Sequence, residues 1–109
     1  MQKLINTYPD FDFEQSSHNS PQFLAFAKLF KTELKKQLES IGAKIDKVTV
    51  GHFYISGFFT KGGKFYYLSW HNGDKQLMYR TAKNNKDYSG GSNQWVRISE
   101  DLASQMVLH

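Results

Sequence analysis

Apolar residues recur at spacings of four and three from Phe23 to Ile41, and then close to every second position from Lys44 to Arg80. The first period belongs to a helix and the second to strands. In the first stretch Phe23, Ala27, Phe30, Leu34, Leu38 and Ile41 share one face, while Lys28, Lys31, Thr32, Lys35 and Glu39 fall elsewhere. Ser20 stands where an N-cap belongs, Pro21 at the first helical position and Gly42 at the stop. The pattern predicts one long amphipathic helix over residues 20–42.

Two turn signals divide the alternating stretch: KGGK at 61–64 and HNGD at 71–74. Gly and Asn tolerate the positive φ of two-residue hairpin turns. They predict an antiparallel meander over 45–82, with strands near 48–60, 64–71 and 75–82. A basic Gly-Gly loop follows at 83–93, and QWVRI at 94–98 reads as a short fourth strand. Ser99 is placed to cap a short terminal helix over 99–108, with Glu100 and Asp101 in its positive first turn. Before the long helix, residues 1–19 look irregular. There Tyr8, Phe11 and Phe13 alternate with Pro9, Asp10 and Asp12, which predicts an arm anchored by aromatic rings. The expected fold class is α+β: a single domain with one long N-terminal helix on a three- to four-stranded antiparallel sheet, and a short C-terminal helix.

With Gly62-Gly63 as the turn, Phe59 lies opposite Tyr66 and Ile55 opposite Trp70. One sheet face then collects Phe53, Ile55, Gly57, Phe59, Tyr66, Leu68 and Trp70, joined by Leu77 and Tyr79, and forms the core beneath the helix. The other collects His52, Tyr54, Ser56, Phe58, Phe65, Tyr67, Ser69, His71, Met78 and Arg80. An outward face of that character needs a cover or a partner. The arm could cover it, as could the terminal helix with Leu102, Met106 and Leu108. Left open, it is an aromatic platform beside cations, suited to stacking unpaired bases or to a protein interface.

Charge sharpens this second possibility. The 109 residues carry 14 Lys and Arg against 10 Asp and Glu, a net charge of +4, and 16% are aromatic. The distribution is uneven: Lys75, Arg80, Lys83, Lys86 and Arg97 face only Asp87 within 75–97, whereas Asp10, Asp12 and Glu14 sit in 8–20 with no base. Such a basic segment permits attraction to polyanions. Cysteine is absent, which excludes disulfides and thiolate metal sites. The opening residues lack the apolar core of a secretory signal, and nothing approaches the roughly twenty apolar residues of a membrane span. These features lead us to expect a soluble, cytoplasmic protein that does not engage a membrane.

Catalytic chemistry has little support in the spacing. None of His18, His52, His71 and His109 forms a metal-binding pair, so neither a metal nor a cofactor is expected. The SGGS stretch lacks the Gly-Lys-Ser/Thr ending of a phosphate loop. The register does bring His52 and His71 near each other on the outer face. With Tyr67 and Arg80 they could supply an acid, a base and a phosphate clamp, which is the ribonuclease alternative.

The segments GHFYISGFFTKGGKFYYLSW and MYRTAKNNKDYSGGSNQW resemble a family of small uncharacterised proteins carried by bacterial mobile elements and phages, over residues 30–98. The resemblance implies a cytoplasmic accessory protein acting near replication, transfer or host defence, and it assigns no site. By element order the chain is also similar to double-stranded-RNA-binding domains, but SEDLASQM is acidic where those have a basic helix start. Messenger-RNA interferase toxins are a further analogy, though they carry more helix before the sheet. The expectation is therefore a non-enzymatic binder of nucleic acid, or of a protein that handles it. The expected contacts are Tyr54, Phe58, Phe65, Tyr67, Arg80, Lys83, Lys86, Tyr88 and Arg97. A purely protein-binding or host-defence inhibitor role is the remaining alternative.

Overall fold

The structure is a computed structural model that describes residues 2–108; His109 lies outside the described residues. Its elements are α1 (Gln2–Thr7), α2 (Pro21–Ser40), β1 (Lys44–Val50), β2 (Tyr54–Lys61), β3 (Lys64–His71), β4 (Gln76–Ala82), β5 (Gln94–Arg97) and α3 (Leu102–Gln105). The fold is α+β, with one five-stranded antiparallel sheet in the order β1-β2-β3-β4-β5. Each strand pairs with its neighbour in sequence, so every connection within the sheet is short except the loop before β5.

The long helix forms where its period places it. The Ser20 hydroxyl accepts a hydrogen bond from the Phe23 N–H at 3.1 Å, so one of the free N–H groups at the helix start is satisfied. Gly42 ends the helix at φ 78°, a left-handed conformation that L side chains resist. Phe23, Phe26, Ala27, Phe30, Leu34 and Leu38 are buried against the sheet. The hairpin register also holds: Ile55 pairs with Trp70, Phe59 with Tyr66 and Lys61 with Lys64. Phe53, Ile55, Phe59, Tyr66, Leu68, Trp70, Leu77 and Tyr79 are all at most 3% exposed, so the expected core face is the core face.

Three expectations need correction. The stretch 48–60 is not one strand, and the sheet has five strands rather than three or four. Gly51, His52 and Phe53 make a tight turn that folds β1 back on β2, with Val50 opposite Ile55. Phe53 adopts φ 60°, rare for an aromatic residue. Asn19, far away in sequence, secures the turn: its Oδ1 accepts the Phe53 N–H and its Nδ2 donates to the Gly51 carbonyl, both at 2.9 Å. Nothing local in GHF announces that clamp.

The second correction is at the start, where residues 2–7 form α1, with Leu4 buried, so the long helix is not the N-terminal one. The third is at the end, where the terminal helix is a single turn. Asp101 rather than Ser99 occupies the N-cap position, and its side chain makes no capping bond. Gln105 accepts from the Arg97 N–H (2.8 Å) and donates to the Arg97 carbonyl (2.7 Å), which ties the segment back to the sheet edge.

The arm contributes to the core. Asn72 clamps Phe13 through both of its backbone polar groups at 2.8 Å, and the Gly73 N–H donates to the Phe11 carbonyl at 2.8 Å. These bonds hold Tyr8 and Phe13 against Phe26, at ring-centroid distances of 5.5 and 5.0 Å. Leu102 and Met106 join the same cluster, and the Tyr79 hydroxyl accepts the Val107 N–H. Helices and arm therefore all gather on the inner face of the sheet.

Candidate functional site

The outer face receives its cover from the loop. Residues 83–93 fold back so that the Tyr88 ring meets Phe58 at 5.3 Å and Tyr67 at 5.6 Å, both edge to face, while those two rings lie 5.2 Å apart. Such geometry suits the quadrupoles of the rings. Phe58 is left 1% exposed, and Tyr88 itself is 54% exposed.

The loop is held by its own sequence. One Asp87 oxygen accepts the Lys83 N–H at 2.9 Å and the other the Ser89 N–H at 3.1 Å. Those bonds favour the ionised carboxylate and hold its pKa below the ordinary 3.8. Arg80 reaches out of β4 to donate to the Tyr88 carbonyl and, at 3.2 Å, to Asn93, with its guanidinium 4.7 Å from the Tyr67 ring centre. A Cβ on Gly91 would fall 2.8 Å from the Thr81 carbonyl oxygen, and φ there is 62°. Glycine at that position lets the loop press against β4. The connection, unusually long for a small domain, is thus a folded part of the surface.

A cation reaches Tyr88 from β1, where the Lys47 ammonium donates to its hydroxyl at 3.4 Å. Lys47 on β1 lies on the outer face opposite Phe58, with its ammonium 6.0 Å from the Tyr88 ring centre and 5.9 Å from that of Phe58. Lys83 and Lys86 are exposed in the loop. At the same end of the sheet, Lys61 faces Lys64 across the hairpin and Lys44 pairs with Thr60. Two acids stand among them: Asp87, engaged in holding the loop, and Asp46, which accepts a bond from Asn85 at 2.9 Å. The opposite end of the sheet carries Asp10, Asp12 and Asp74 beside Lys75. Charge is therefore divided along the strand direction, positive at the Tyr88 end.

The structure sorts the expected contacts. Tyr88, Lys83 and Lys86 form an exposed group, with Phe58 and Tyr67 as its buttress and Arg80 as its anchor. Phe65 is half-buried opposite Ala82. Tyr54 is 36% exposed at the far end, 5.9 Å from the His71 ring. Arg97 is turned toward Glu100, 2.7 Å away, and this contact raises the Arg97 pKa and lowers that of Glu100. The two histidines face different neighbours: His52 Nε2 is 2.6 Å from the Ser16 carbonyl oxygen, while His71 lies beside Tyr54.

Lys47 and Trp95 were missed. Lys47 belongs to the strand hidden by the undetected turn. Trp95 pairs with Met78 on the outer face and is 54% exposed, whereas Val96 pairs with Leu77 and is buried. Strand parity would have found Trp95, since only one of two adjacent residues can enter the core.

Comparison of the chain with protein-family models, with curated proteins and with solved structures finds no match.

Proposed function

We propose that the protein is a non-enzymatic binder of single-stranded nucleic acid, and that Tyr88 with its surrounding lysines is where the strand is held. The observation that carries this reading is an aromatic ring more than half exposed, braced from below by Phe58 and Tyr67, reached by the Lys47 ammonium, and carried on a loop whose Lys83 and Lys86 are exposed. A braced ring gives a base a stacking surface at little ordering cost, and stacking contributes about 1–3 kcal/mol per base. The lysines attract the phosphates on either side without reading sequence. The setting that the resemblance implies, a cytoplasmic accessory protein of a mobile element, is one in which single strands arise.

The test is fluorescence anisotropy with end-labelled single-stranded RNA and DNA at low salt. Tyr88→Ala should weaken binding about tenfold. Exchanging Lys83 and Lys86 for Gln should flatten the dependence of log affinity on log salt by about 0.7 for each phosphate that is no longer neutralised. No binding of either polymer at low salt overturns the reading, and a protein partner then becomes the better account of the same surface.

A further inference from the structure

Beyond Tyr88, the outer face carries a second exposed ring with a hollow beside it. Trp95 borders a depression of about 350 Å³, lined with Asp74, Lys75, Gln76, Arg97 and Ser99. We infer that this hollow takes one nucleobase, stacked on Trp95, from the same strand that lies on Tyr88. The inference rests on the nucleic-acid reading above and adds to it a second base site with its own chemistry.

The sheet register sets the spacing. The Tyr88 ring rests over Phe58 on β2 and Tyr67 on β3, Tyr67 pairs with Arg80, Met78 precedes Arg80 by two residues on the same face, and Trp95 on β5 is the cross-strand partner of Met78. Two to three strands across and two residues along come to about 14 Å, so one strand of several nucleotides can serve both rings. Between them the surface is low, because Ser69 and Met78 pair there and both are buried.

The lining selects a base over a phosphate. Lys75 already donates to the Asp10 carbonyl at 3.0 Å, and Arg97 is paired with Glu100. The Asp74 carboxylate repels a phosphate group but can accept from an exocyclic amino group, as acids do from cytosine. Gln76, exposed at the start of β4, offers both a donor and an acceptor to a base edge. By contrast, the hollow of about 410 Å³ on the arm side is lined with Asp12 and Glu14, and its one ring, Phe13, is half-buried.

The two tryptophans make the test direct. Trp70 is fully buried, so a change in indole emission on ligand addition reports Trp95. Oligocytidine of two and of six nucleotides is titrated into the intact protein, with anisotropy of the labelled oligonucleotide and indole emission followed together. The hexamer should quench the emission as it saturates, and Trp95→Phe should bind it while losing the signal. Trp95→Ala should weaken the hexamer about tenfold and leave the dinucleotide, held at Tyr88, unchanged. Circular dichroism and melting of both variants confirm folding. If the hexamer binds by anisotropy but Trp95 emission does not change, or Trp95→Ala keeps full affinity, this inference falls while the Tyr88 reading stands. If no oligonucleotide binds at all, the Tyr88 reading falls with it.

Discussion

The two faces of this sheet have similar composition and opposite fates. Both are rich in rings, yet the inner face is closed by residues distant in sequence, whereas the outer face is roofed by a loop that follows directly from its own fourth strand. On the inner face Trp70 meets Phe26 at 4.8 Å, Phe23 at 6.2 Å and Phe30 at 6.3 Å, and its indole N–H donates to the Asp74 carbonyl at 2.7 Å. On the outer face Phe58 and Tyr67 carry one lid residue, Tyr88, whose own upper side is open. Aromatic content alone therefore does not make a core. On the outer face the loop buries Phe58, and the ring left open is the one the loop itself carries, Tyr88.

The two faces should differ most when one tryptophan is removed from each. Trp70→Ala should cost about 3–5 kcal/mol, because it empties the centre of the aromatic cluster. Trp95→Ala should change stability by under about 0.5 kcal/mol. Urea unfolding of the two variants measures the difference, and equal losses would sink the distinction. Next in size is Gly57→Ala, where a Cβ would collide with the Lys47 carbonyl oxygen in the neighbouring strand. Pushing β1 off β2 should cost about 1–3 kcal/mol, as overpacking does, and an unchanged unfolding midpoint would refute the close approach.

A smaller effect is expected on the outer face. Arg80→Ala removes the bonds to the Tyr88 carbonyl and Asn93, so the loop amides should exchange with solvent faster while those of α2 stay protected. The global loss should be about 1 kcal/mol, since Arg80 is only half-buried. Smallest is the pH response of the loop. The Asp87 pKa is depressed in the folded protein, so its contribution is fully present above the ordinary value of 3.8 and is lost as pH falls through the lower folded-state value. The Lys83 and Ser89 amide resonances should move together in that acid window, and Asp87→Asn should abolish the movement. Titration of those amides near neutral pH instead would point to a different anchor.

Much of this could be read from the chain because the signals were local. The cap at Ser20, the four-and-three period of α2 and the Gly62-Gly63 turn each arise within a few residues, and the structure keeps all three. The candidate site was only half legible. Tyr88, Lys83 and Lys86 stood out in a basic, aromatic loop, but the folding of that loop onto Phe58 is a long-range event, and Lys47 sits on a strand that the sequence did not separate. Gly51 was the one local mark of the turn, since a side chain there would meet the Tyr54 ring, but the clamp from Asn19 that fixes it is long-range.

By itself, then, the sequence determined the helix, the register of the central hairpin and the division of its rings between two faces, since each follows from the period of side chains along one segment. Only the tertiary structure decided which face would be closed and by what. The arm and α3 both had the apolar residues to cover the outer face, and both joined the inner one. Backbone and side-chain bonds, from Asn72 to Phe13 and from Val107 to Tyr79, hold them there. Such bonds depend on where distant segments meet, and periodicity contains no information about that.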